Sequence, residues 1–176
     1  MAYTVVSETV CKILSINYYP TLFISSAYSV VEYLFMVYIF YPLVASKKTK
    51  IYFIILTVFY FLVYLWSRLL AQGMFVRIYS QIAAESFCLI LISGLVIHKI
   101  AEEFEGKVVK NPHFIFAFTI LFYFSTNIFL FAVKGSFTLE ENKLIANYIW
   151  GIHSIVNFLL HVFITLAMWF NSRRIK

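Results

Sequence analysis

The chain has 176 residues, of which 62% are hydrophobic and only 12% charged, with a mean hydropathy of +0.87 and a net charge of +6. Soluble domains carry about 25% charged residues, so this chain has too little polar surface to coat itself in water, and lipid is the solvent that fits it. The same pattern removes nucleic acid as a partner: the 14 Lys and Arg stand mainly between apolar runs, where they orient a protein in a membrane.

Residues 2–15 are apolar but shorter than the ~20 residues a crossing needs. Glu8 and Lys12 stand four apart, a favourable helical pair, so this stretch is expected to be a short helix that does not span alone. The region from Asn17 to Pro20 breaks it. Five spans follow, over roughly residues 22–45, 51–70, 78–100, 113–133 and 147–170. The basic loop at Lys47, Lys48 and Lys50 ends the first, and Gln72 and Gly73 turn the chain after the second. The charged loop AEEFEGKVVKNP follows the third, and its last two residues, Asn111 and Pro112, suit an N-cap and a first helical position. Thr138 and Glu141 have capping-box spacing, so the fifth helix is expected to start before its apolar run. The fold class expected is therefore all-α: one polytopic transmembrane bundle over residues 1–176, with about five spans plus the short N-terminal helix.

This topology puts nine basic residues on the side of the C-terminus and five on the other. Basic residues favour the cytoplasmic side, so the N-terminus is expected outside and the C-terminus inside. The last span, YIWGIHSIVNFLLHVFITLAMWF, carries His153, Asn157, His161 and Thr165 four apart, one polar stripe on a greasy helix. The other helices are expected to pack around that stripe.

Ionisable groups within spans cost a few kcal/mol each and usually face the bundle interior. At ~1.5 Å rise per residue, Glu32, Glu85, Asn127, His153 and Asn157 fall about 9 to 15 Å below the outer ends of their helices. Four helices of alternating direction thus place polar groups at one level. Ser29, Glu32 and Met36 share a helical face, as do Gln81, Glu85 and Cys88, while Tyr60, Tyr64 and Arg68 form a stripe on the second span. Glu32, Glu85 and His153 point to a ligand pocket, with Arg68 and Arg77 as charge partners. Asn127 and Asn157 are candidates for the same layer, although small polar groups also serve as ordinary glue between helices.

Cys11 and Cys88 have no CxxC spacing and read as small packed hydrophobes. Glu, Glu and His have the donor types of a zinc site, but no HExxH or comparable spacing accompanies them, so no metal is assigned. Haem is less favoured still: His98 and His113 both lie at the inner boundary and read as boundary residues, while His153 lies in the outer half and His161 near the middle. With no phosphate loop, nucleophile elbow or triad pattern either, no cofactor is expected and an enzyme is the less favoured class.

The pieces AYSVVEYLFMVYIFYPL, AAESFCLILISGLVIHKI, KNPHFIFAFTILFYFSTNIFLFAV and YIWGIHSIVNFLLHVFITLAMW resemble a group of small, mostly seven-span membrane proteins of Bacteroidetes-type bacteria. The resemblance covers roughly residues 20–172 and includes the Glu, Glu, Asn-Pro, Asn, His and Asn positions. It implies a bacterial inner-membrane location and an association with sensory signalling. The group has two spans before the AYSVVEYLF piece, so this chain looks shortened at its N-terminus.

Three functions fit. The first is a receptor-like or accessory sensory module that binds a small molecule or lipid in the outer-half pocket and signals through a protein partner. The second is a structural subunit of a membrane complex. The third is an intramembrane metal-dependent lipid hydrolase using Glu32, Glu85 and His153.

Overall fold

In the computed structural model the described residues are 22–44, 46–69, 74–103, 108–135 and 143–174, and among them every regular element is a helix. The elements are α1 (Leu22–Phe40), α2 (Lys47–Leu69), α3 (Met74–Glu103), α4 (Pro112–Gly135) and α5 (Lys143–Arg174), with 3-10 turns at Tyr41–Leu43 and Val108–Lys110. Among the described residues four stretches are long and apolar enough to cross a membrane: Lys47–Leu69, Ser80–Glu103, Pro112–Leu130 and Gly151–Asn171. The apolar stretch from α1, Ala27–Leu43, is shorter. The N-terminal helix expected over residues 2–15, the turn at Gln72 and Gly73, and the capping box at Thr138 and Glu141 lie outside the described residues.

The helix ends have local causes. Pro42 has no N–H to donate, and α1 gives way to the 3-10 turn, closed by Val44 N–H to Tyr41 O at 3.4 Å. The basic residues Lys47, Lys48 and Lys50, expected as a loop, instead form the first turn of α2, with Lys50 N–H on Ser46 O at 3.1 Å. Likewise α3 runs three residues past its expected end, to Glu103. There His98 and Lys99 face Glu102 and Glu103 one turn on, at 3.4 and 2.8 Å. Such pairs support a helix beyond its apolar run. Asn111 caps α4 as expected: its Oδ1 accepts His113 N–H at 3.0 Å, and Pro112 is the first helical residue.

The central helix is α3, which packs against α1, α2 and α4, whereas α5 packs against α4. This corrects the expectation that the stripe of α5 organises the bundle. The reason lies in side-chain size. Ala84, Ser86, Cys88 and Ser93 let neighbours approach α3 closely, and with Gln81, Glu85, Leu89, Ile92, Val96 and Ile100 they form a buried arc more than halfway round the helix. On α5, among the residues whose side chains are described, only Val156, Leu160 and Ala167 are buried. Thr165 is exposed and bonds back to His161 O at 2.8 Å. On α2 the buried residues are Phe53, Tyr60 and Ser67, a single line with seven-residue spacing. The exposed faces of α2 and α5, with Ile51, Ile55, Leu62, Ile155, Phe158 and Phe163, are of a kind that hydrocarbon covers.

Candidate functional site

We call the half of the bundle holding the N-terminal parts of α1, α3 and α5 the upper half. Tyr33 of α1 and Tyr60 of α2 stack there with ring centroids 4.2 Å apart. Both are fully buried, and the stack turns their hydroxyls toward different partners. Tyr60 Oη lies 3.2 Å from Ser29 Oγ, and Tyr33 Oη lies 3.3 Å from Thr57 Oγ1. Ser29 in turn donates to Glu85 Oε2 on α3, while Thr57 donates to Phe53 O at 2.8 Å.

Each hydroxyl has one proton, which fixes the direction of both chains. Ser29 gives its proton to Glu85, so it accepts from Tyr60. Thr57 gives its proton to the Phe53 carbonyl, so it accepts from Tyr33. Gln81, one turn from Glu85, also reaches the Tyr60 hydroxyl. Cys88 on the next turn lies beside Tyr33, with Sγ 3.5 Å from Leu56 O. Cys88 is thus a buried thiol within the layer.

Glu85 is 4% exposed, and its second carboxyl oxygen, Oε1, is fully buried without a hydrogen-bond partner. A buried polar atom left unsatisfied costs about 1–3 kcal/mol, and more when charged. Glu32 stands within electrostatic reach of Glu85, and Tyr123 of α4 within reach of both. The sequence puts Glu32 on the face of Ser29 and Met36. The structure buries Ser29, Tyr33, Met36 and Phe40 on that face and leaves Glu32 half-buried at its edge. Position 33 lies one turn beyond Ser29 and carries the larger apolar ring, so it takes the centre, and Glu32 sits about 100° round the helix from it.

A second group joins α4 to α5. His153 Nδ1 lies 3.0 Å from Asn127 Oδ1. The amide oxygen only accepts, so Nδ1 carries the proton. Tyr123 meets Asn127 from the preceding turn of α4. The layer therefore includes Glu32, Glu85, Asn127 and His153 of the expected set, drawn from α1, α3, α4 and α5. Asn157, one turn beyond His153, is half-buried and outside this hydrogen-bonded chain. The Arg68 guanidinium lies over the Tyr64 ring, 5.5 Å from its centroid, and the Arg77 side chain lies outside the described residues.

Sequence reasoning did not assign Tyr33, Thr57 and Tyr123 to the layer. Their signal was available in position: each stands three or four residues from an assigned polar or stripe residue, Ser29, Tyr60 and Asn127 respectively. Among the described residues no three of His, Cys, Asp and Glu come together as metal ligands. Glu32, Glu85 and His153 thus belong to one layer without forming the triad a metal hydrolase needs. What the arrangement offers is a buried acceptor, a neighbouring carboxyl and oriented hydroxyls in an apolar surround.

Comparison of the chain with protein families, with curated proteins and with solved structures gives no match.

Proposed function

We propose that the protein is a receptor-like or accessory sensory module of the bacterial inner membrane. In this reading the N-terminus is outside, the C-terminus is cytoplasmic, and the polar layer binds a small ligand. The observation that carries the reading is Glu85: buried, satisfied at one oxygen and open at the other. Interhelical glue needs no such atom, because every partner of a purely structural contact can be supplied by the bundle itself. The likeness to the Bacteroidetes-type group supports the same location and the sensory association. Signalling falls to a protein partner in this reading.

The test replaces the native gene with one encoding Glu85→Gln or Glu85→Leu. Gln keeps the shape and loses the charge. The sensory reading expects Glu85→Gln to reproduce the phenotype of a gene deletion while the protein accumulates normally in the membrane. A normal phenotype with Glu85→Gln, together with poor accumulation of Glu85→Leu, favours the structural-subunit alternative. The Ser29–Tyr60 contact between α1 and α2 is what that alternative rests on.

A further inference from the structure

We propose that Glu32 and Glu85, with Ser29 and Tyr60, form an intramembrane site for one monovalent cation, an alkali-metal ion or a proton, held by carboxyl and hydroxyl oxygens. The inference rests on the polar layer being a binding site and names the ligand class.

The argument begins with the protons nearby. Ser29 commits its only hydroxyl proton to Glu85 Oε2. Tyr60 then commits its own to Ser29, and Tyr33 gives its own to Thr57. The Cys88 thiol is directed to Leu56 O. All these donors are turned away from Glu85 Oε1, which is buried with no partner. That oxygen suits positive charge, since an acceptor-only carboxylate oxygen is satisfied by a proton or a cation.

The electrostatics agree. Among the described residues, the titratable groups facing Glu85 are Glu32 and Tyr33 from α1, Tyr60 from α2, Cys88 on α3 itself and Tyr123 from α4. From α5, His153 reaches the layer through Asn127. The five facing groups are acids or neutral donors. Two carboxylates without a cation between them repel in an apolar interior. One bound cation removes that repulsion and fills the coordination of Oε1.

The ligand set selects among cations. Carboxyl and hydroxyl oxygens are hard donors, suited to hard ions. A divalent ion asks for about six or more oxygens, usually with several carboxylates, and among the described residues no third such ligand joins the pair. One positive charge is the better match. Half-buried Glu32 places one carboxyl of the pair at the edge of the packed core.

The experiment measures the unfolding temperature of the purified full chain in mild detergent. Na+, K+ and Li+ are titrated in turn at mildly alkaline pH, with choline chloride holding ionic strength constant. An alkali-metal site gives a saturable rise, about 5 °C or more at a hundredfold excess over Kd. A proton site gives no alkali-ion response, but stability that grows as pH falls, because the folded state then holds a proton the unfolded chain binds less tightly. Either response is lost in Glu85→Gln and kept in Glu102→Gln, which alters an exposed acid near the other end of α3. Ser29→Ala serves as the second variant and weakens the response if Glu85→Gln does not fold. Equal responses in wild type and Glu85→Gln overturn the proposal, as does stabilisation by Mg2+ or Ca2+ alone. If those results appear while Glu85→Gln still reproduces the deletion phenotype, the cation is wrong and the sensory reading stands.

Discussion

The two halves of the bundle differ in whether polar groups meet across helices. In the upper half, hydrogen bonds cross between helices: Tyr60 and Glu85 meet on Ser29, Tyr33 meets Thr57, and Asn127 meets His153. Ser67 and Thr126, also in the upper half, turn back on their own helix, to Tyr64 O and Phe122 O, and in the lower half this is the pattern of the hydroxyl bonds described. Ser93 bonds Leu89 O and Thr119 bonds Ile115 O, each at 2.7 Å. The neighbours there meet through apolar contact, with Phe40 against Phe116 and Tyr41 against Phe53. Among the described residues the lower half is thus held across helices mainly by ring packing, with Lys50 Nζ over the Tyr41 ring, 5.0 Å from its centroid, whereas the upper half also joins its helices by hydrogen bonds and leaves one carboxyl oxygen of Glu85 without a partner. A fold needs only the first arrangement, so the second is where function is to be sought.

The sharpest way to break this comparison is to remove shape from the lower half. Phe40→Ala deletes a fully buried ring against α4 and is expected to destabilise the bundle by about 3–5 kcal/mol. Reversible unfolding in mixed micelles measures it, and a loss under about 1 kcal/mol would mean that the lower half does not carry the packing. Next comes Ser29→Ala, which takes the hydroxyl from between Tyr60 and Glu85 and is expected to cost about 1–3 kcal/mol. The same assay reads it, and added alkali-metal ion should recover less stability in this variant than in wild type. Asn111→Ala removes the cap of α4 at about 1 kcal/mol, which amide exchange at His113 would report as faster opening of the first turn. The smallest effect separates the two kinds of bond. A double-mutant cycle on Asn127 and His153 should give a coupling near ~0.6 kcal/mol, while one on Ser93 and Thr119 should give none. Equal couplings would erase the distinction between the halves.

Much of this arrangement was legible in the sequence because it depends on distance along a helix. The common level of Glu32, Glu85, Asn127 and His153 follows from rise per residue and alternating direction, and the Asn111 cap follows from two adjacent residues. What depends on neighbours was not legible. The polar stripe of α5 is more conspicuous than anything on α3, yet α3 is central, because small side chains decide how closely helices approach and leave no hydrophobic period behind. Tyr33 reads as one aromatic among many, and only the opposing Tyr60 makes it the centre of its face, displacing Glu32 to the edge. The ends of α2 and α3 were placed where the apolar runs stop, but hydrogen bonding and ion pairs continue both helices into charged sequence.

The line of Phe53, Tyr60 and Ser67 on α2 also sets how much of that helix is buried. Around a straight helix a seven-residue line drifts by about 20° per repeat. Two repeats from Phe53 to Ser67 add up to about 40° of drift, so only a narrow strip of α2 is buried and most of its surface is left to hydrocarbon. Tyr60 places the hydrogen bond to Ser29 at the middle of that strip.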